Sequence, residues 1–166
     1  MSSTLIVILY VCLGMASDLP PEIYDTSLLT TQKVINLHVT QEHKCLSEAL
    51  YFEARGESKE GVFAVGNVIL NRVKSDKHPN TICKVVQAPN QFSYLWDGKS
   101  DIPKNKKSYQ RMQLISLDIL KSQRNNKGAL YYHNTTVDPY WNKSMELISV
   151  IDNHLFYKPK EKGYNN

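Results

Sequence analysis

Between residues 41 and 73 the apolar positions fall at helical spacing, in two runs that meet at a short polar corner. Leu46, Ala49 and Leu50 follow the i, i+3, i+4 spacing of a buried stripe and predict a helix over 41–55, ended by Gly56. Ser58 is a good N-cap for a second helix, whose Val62, Val65, Gly66, Ile69 and Val73 form one apolar stripe. From His78 to Pro103 the pattern turns loop-like, broken by Pro79, Pro89, Gly98 and Pro103 around the aromatic segment "NQFSYLWDG". A third helix is predicted over 108–123, with Met112, Ile115 and Ile119 on one side. "ALYYHN" at 129–134 and "VIDNHLFY" at 150–157 read as short strands, rich in aromatics and flanked by turn residues. No internal repeat or second domain is visible.

The two ends carry a different pattern. Leu5 to Ala16 form an apolar run without a charged side chain, followed by the polar, proline-containing "SDLPPE". The run is shorter than the roughly 20 residues of an ordinary membrane span, and Gly14 and Ala16 put small residues where a signal peptidase reads. Residues 1–16 are therefore read as a signal peptide or signal-anchor. The usual Lys or Arg before the apolar core is missing, which keeps a releasable anchor open. Residues 17–40 lack sustained periodicity and read as a linker or N-terminal arm, 41–158 as the folded domain, and 159–166 as a polar tail.

The first stripe raises a question of its own, because the next position along it is Glu53. Two readings stand. Glu53 is solvated or paired with Arg55 or Arg72, as most helix-terminal glutamates are. Alternatively, it is a partly desolvated acid whose pKa is raised, as general-acid work at neutral pH requires. The corner "RGES" brings Glu53, Glu57 and Glu60 towards each other and towards a helix N-terminus. On the second helix Glu60, Asn67 and Asn71 share a face, which reads as the wall of a polar cleft or as a solvent face.

Composition narrows this picture. A chain of 166 residues with 42% hydrophobic and 22% charged residues supports one compact domain with a real core. Twenty Lys and Arg against 16 Asp and Glu leave a net charge of +4, which suits an acidic polymer such as cell wall or nucleic acid without identifying either. The basic residues do not interleave with aromatics in a compact motif, so nucleic-acid binding lacks support. Removal of the leader would take Cys12 and leave Cys45 and Cys83, which in an exported chain read as one disulfide or, failing that, as two separate thiols. His133 and His154 with Asp138 or Asp152 could imitate a zinc amidase, but no HExxH spacing is present, nor any G-x-S-x-G elbow or Walker-type glycine loop. The aromatics of "NQFSYLW", "LYYH" and "PYW" are either core or the flat surfaces on which sugar rings stack.

"CLSEALYFEARGESKEGVFAVGNVILNRVKSDKHPNTICKVV", "QFSYLWDG", "GALYYHNTTVDPYW" and "VIDNHLFYK", in that order over about two thirds of the chain, resemble the successive signature blocks of the SleB-like cell wall hydrolases. That family comprises spore cortex-lytic enzymes and phage lysins. The resemblance implies a mainly helical α+β fold, lysozyme-like or transglycosylase-like, with a short β-sheet and no metal or cofactor. It implies peptidoglycan as partner and a cut between N-acetylmuramic acid and N-acetylglucosamine. Glu53 best fits the family's catalytic glutamate, with Glu57 its rival, and the stripe favours Glu53. Asn71 and Arg72 in "LNR", Gln91, Phe92, Ser93 and Tyr94 in "QFSY", and Tyr132, His133, Trp141 and His154 in the C-terminal blocks are the implied substrate-binding positions. Two departures limit the carry-over: Tyr94 stands where many relatives have tryptophan, and the N-terminal wall-binding repeats of the spore enzymes are missing.

A lytic transglycosylase needs one carboxylate, acting as acid and then as base, whereas a hydrolase needs two flanking the bond. The resemblance points to the former. Hydrolytic muramidase, N-acetylmuramoyl-L-alanine amidase and a non-enzymatic wall-binding module remain as alternatives. An exported monomer without nucleic acid, touching the membrane at most through its leader, completes the expectation.

Overall fold

The structure, a computed structural model, describes residues 26–122 and 127–160, with side chains from Thr40 onward. The signal peptide or anchor at 1–16, the start of the linker and the end of the polar tail lie outside the described residues. The chain divides into two compact units, Met1–Leu37 and His38–Asn166. The described residues of the first unit are helical. The second holds the core and the clefts described below.

Helix α1 spans Thr26–Ala54 and so begins well before the expected start at Gln41. Thr, Ser and Asn cost a helix only tenths of a kcal/mol each, and no glycine or proline interrupts the chain between Thr26 and Arg55. Helix α2 spans Lys59–Val73 with Ser58 as N-cap, its hydroxyl accepting from the Gly61 amide. Helix α4 spans Lys106–Ser122. The apolar stripes of all three meet in the core. Leu46, Ala49 and Leu50 of α1, Val62, Val65, Val68 and Ile69 of α2, and Met112 and Ile119 of α4 are wholly buried. Each such large side chain contributes about 1.5–3 kcal/mol by burial. Gly66 is the close-approach point, since a Cβ there would come within 2.6 Å of the end of the Ile119 side chain. Within this core the Ser47 and Ser116 hydroxyls pair at 2.8 Å, joining α1 to α4.

The segment expected as loop from His78 contains the short helix α3, Ile82–Gln87, and a 3-10 turn, Ser93–Leu95. Both are too short to show periodicity. Helix α3 is tied to α1 by the Cys45–Cys83 disulfide, the expected pairing, and by the Ile82 amide donating to Glu42 at 2.6 Å.

The sheet has three strands, β1 Tyr131–Asn134, β2 Met145–Ile151 and β3 His154–Pro159, in the antiparallel order β1-β3-β2. "VIDNHLFY" is therefore not one strand but a hairpin, turning at Asp152 in the left-handed region with φ 49°. Strand β2 is the piece missed by pattern. A register shift between Leu147 and Ser149 breaks its alternation, and Leu147 and Val150 point to solvent.

Candidate active site

The asparagine and arginine of "LNR" set the sheet against α2. Asn71 Nδ2 donates to the Ala129 carbonyl at 2.9 Å and Arg72 Nε to the Leu130 carbonyl at 2.8 Å, fixing the chain as it enters β1. Two residues on, Tyr132 projects towards the end of α1, and its hydroxyl donates to Glu53 Oε2 at 3.2 Å. The Arg72 guanidinium lies 5.9 Å from the Phe92 ring centre and 6.0 Å from that of Tyr131.

The corner between α1 and α2 is held from two sides. Arg111 of α4 donates to the Arg55 and Glu57 carbonyls, both at 3.2 Å. The hairpin tip grips the opposite side, where Asp152 accepts from the Ser58 amide at 2.9 Å and the Ser58 hydroxyl at 2.6 Å. Gly61 makes this approach possible, because a Cβ there would collide with the Asp152 carboxylate. Gly56, read as the end of the helix, follows it by two residues and lies outside the positive-φ residues.

These supports enclose an open cleft of about 660 Å³. Glu53, Arg72, Gln91, Ser93, Tyr132, His133 and His154 line it, all expected from the sequence. Trp96, Asp97, Asn90 and Asn134 line it as well and were not singled out. Trp96 is one of the aromatics of "NQFSYLW" read as core or as sugar-stacking surfaces, and the structure leaves it exposed, while Asp97 beside it carried no such signal. Asn90, at φ 60° after Pro89, carried only a turn signal. Trp141 lies in an adjoining depression of about 430 Å³ that shares Arg72, Gln91 and Tyr132 with the cleft. A separate depression of about 610 Å³ between α2 and α4 contains none of these residues.

Three expected substrate-binding residues do not form the cleft wall. Phe92 is 1% exposed and packs beneath Arg72, Tyr94 stacks on Phe52 at 4.4 Å within the core, and Asn71 is spent on the Ala129 carbonyl. Each carries an apolar ring or an amide whose bonds are met inside the protein, so they shape the site from behind. Asn67 and Asn71 are likewise buried while Glu60 is exposed, so their shared face is neither a cleft wall nor a solvent face.

The electrostatics separate the two glutamates. Burial raises the Glu53 pKa, with the Tyr132 hydrogen bond and the Arg72 charge pulling the other way. Arg72 rather than Arg55 is the moderating cation; Arg55 lies over the Tyr51 ring, 4.7 Å from its centre. Burial and the Glu53 charge push the Tyr132 hydroxyl well above its ordinary value, so it stays a donor. Glu57 does not line the cleft. It sits behind His154, 3.9 Å from Nδ1, and faces the Asn153 amide. Burial lowers the His154 pKa against the pull of Glu57 and Asp152, and the ring rests 5.3 Å from that of Tyr132. His133 Nδ1 is 2.9 Å from the Asn134 carbonyl and must donate, leaving Nε2 to accept from Tyr157 at 3.0 Å.

Asp97 is the other carboxylate on the cleft wall, held below its usual range chiefly by the Lys99 amide. The aspartates considered with the histidines are engaged elsewhere, Asp138 by Asn142 and Asp152 by Ser58. Among the described residues no three His, Cys, Asp or Glu side chains converge as metal ligands.

The sequence and the fold are similar to those of known proteins. The family described as Cell Wall Hydrolase matches residues 56–157, a span that contains Glu57 and begins just after Glu53. A spore cortex-lytic enzyme of Oceanobacillus iheyensis is 35% identical over 114 residues, 68% of this chain. The chain spans 40% of that relative's length. The crystal structure of the catalytic domain of the Bacillus cereus SleB protein superposes with a TM-score of 0.61 at 32% identity, covering 72% of this chain and 91% of that one. The catalytic domain of the germination-specific lytic transglycosylase SleB from Bacillus anthracis gives a TM-score of 0.61 at 28% identity, over 84% of this chain and all of that one. The mainly helical fold with its small antiparallel sheet is that of the SleB catalytic domain, and the chain belongs to the cell wall hydrolase family.

Proposed function

We propose that this domain cuts the glycan of peptidoglycan between N-acetylmuramic acid and N-acetylglucosamine as a lytic transglycosylase, with Glu53 as its acid and base. The observation that carries the reading is the half-buried Glu53 carboxyl, raised in pKa, in hydrogen-bond reach of Tyr132 and beside Arg72 in an open cleft. Protonated Glu53 gives its proton to the glycosidic oxygen as the bond to the anomeric carbon breaks. The resulting carboxylate takes the proton of the muramic acid C6 hydroxyl, whose oxygen closes on that carbon. The product is a 1,6-anhydro end, Glu53 is protonated again, and no water is consumed. Burial favours the acid form, while Tyr132 and Arg72 stabilise the carboxylate that follows. Trp96, exposed at the cleft, and Trp141 with Tyr131 beside it supply flat faces for sugar rings.

The same reading makes the protein an exported, monomeric enzyme. Its substrate lies outside the cytoplasm, the Cys45–Cys83 bridge suits an oxidising compartment, and the apolar leader gives a route. No helix among the described residues is long and apolar enough to cross a membrane.

Release of soluble fragments from dye-labelled peptidoglycan tests the assignment. Glu53→Gln is expected to lose about 10²- to 10⁴-fold in rate while still sedimenting with the wall, and a chelator should have no effect. Full activity of Glu53→Gln would sink the reading and return the acid role to Glu57, whereas silencing by chelator with release of free peptides would indicate an amidase.

A further inference from the structure

A second groove, about 330 Å³, opens beside the catalytic cleft and is joined to it at Asp97, which lines both. Its floor is aromatic: Tyr51 and Phe52 from the end of α1, and Tyr94 stacked on Phe52. This floor is rigid, because Tyr94 is in the core and the Tyr51 hydroxyl accepts from the Asn105 amide at 3.0 Å. The rim is charged. Lys99 pairs with Asp97 at 3.3 Å, so those two largely cancel. Arg55, lying over the Tyr51 ring, and Lys104 have no carboxylate partner among the described residues, and Asp101 stands on the same rim.

We propose that this groove receives the stem peptide of peptidoglycan, with Arg55 and Lys104 holding its carboxylates. The inference rests on the glycan-cleaving reading and deepens it. A cut at muramic acid brings the lactyl group of that sugar, and the peptide attached to it, next to Glu53. The peptide has to leave the cleft along a neighbouring surface. Such a stem carries free carboxylates and, where not cross-linked, a side-chain amine. A rim with two unpaired cations and one carboxylate suits both signs, with Asp101 facing the amine. The groove is amphipathic in the way a short peptide requires, apolar below and charged at the edge. Arg55 also follows Glu53 by two residues, so the same helix end sets the acid and the stem cation in fixed relation.

The test uses the full chain and two purified substrates, glycan bearing its stems and the same glycan stripped of them by an amidase. The Arg55→Ala/Lys104→Ala double variant should lose about 3- to 10-fold in kcat/KM on stem-bearing glycan, the scale of one or two exposed ion pairs. On stripped glycan it should equal wild type. Raising salt to about 0.5 M, where screening shortens to a few ångströms, should erase the difference. Equal rates of variant and wild type on both substrates would overturn the proposal, as would equal losses on both, which would assign the cations to the glycan or to the fold. A wild type that cuts neither substrate would overturn the glycan-cleaving reading itself, and this inference with it.

Discussion

As the proposed acid, Glu53 has to be neutral when substrate arrives and charged halfway through the reaction. Its surroundings serve both needs, since burial raises its pKa while Tyr132 and Arg72 limit the rise. The rate should therefore fall as pH climbs through a value above the ordinary carboxyl 4.5, and a pH-rate profile on soluble glycan reads that limb directly. Stability carries a signature of the same shift. Below 4.5 the carboxyl is protonated in both folded and unfolded chains and contributes nothing. As pH rises, the unfolded chain ionises first, so wild type loses stability until the folded pKa is passed. Glu53→Gln should thus melt a few degrees higher than wild type at pH 7.5 and the same at pH 4; a lower melting point at pH 7.5 would mean that the Tyr132 and Arg72 contacts outweigh burial. At this scale the sequence was informative. The stripe of Leu46, Ala49 and Leu50 pointed to Glu53 because an inward position on a helix is a property of spacing alone. It could not separate Arg55 from Arg72, because which cation comes close depends on how β1 is tied to α2.

The corner between α1 and α2 is the element on which the site hangs, and Gly61 is its informative residue. A helical glycine costs about 0.5–1 kcal/mol relative to alanine, so at an ordinary position Gly61→Ala would stabilise. Here the added methyl meets the Asp152 carboxylate, and the β2–β3 hairpin, which presents His154 and pairs through β3 with the strand that carries Tyr132, should be pushed off the Ser58 amide. Gly61→Ala is expected to cost about 1–3 kcal/mol and most of the activity. Adding Asp152→Ala should restore part of the lost stability, because the clash leaves with the carboxylate; thermal melts of the two singles and the double form the cycle that decides. Strictly additive losses would show that the two residues do not meet. The hairpin itself was missed although Asp152 and Asn153 are turn-favouring residues in the middle of "VIDNHLFY"; the apolar residues on either side read as one strand, and the left-handed backbone at Asp152 shows the turn. Strand β2 escaped for a related reason: its bulge cancels the alternation by which a strand is recognised. Helix boundaries within the three long helices were legible where caps or stripes mark them, as at Ser58, and not where α1 continues upstream through polar residues.

At the scale of the whole molecule, the helices supply the core and the sheet closes one wall of the cleft, with α3 stapled to α1 by the disulfide. Closing a loop across a sequence separation of 38 is worth about 4 kcal/mol in the chain-entropy account. Replacing both cysteines by serine should lower the melting temperature substantially and leave the kcat of the folded protein little changed, since neither sulfur touches the cleft. Calorimetry of oxidised and reduced protein gives the same comparison without mutation. The pairing was legible by counting, once Cys12 is set aside. The cleft as a whole was legible only in pieces: the residues that face it come from segments far apart in sequence, and burial assigned Phe92 and Tyr94 to its support and Trp96 and Asp97 to its surface.

The central claim is that one carboxylate does the chemistry and that water stays out of the product. Digestion of purified peptidoglycan in ¹⁸O-labelled water, with mass spectrometry of the released fragments, tests it most directly. The account predicts fragments ending in 1,6-anhydromuramic acid, free of label and absent with Glu53→Gln. Reducing ends carrying the heavy oxygen would contradict it and make the enzyme a hydrolase, with Asp97 as the second carboxylate to test.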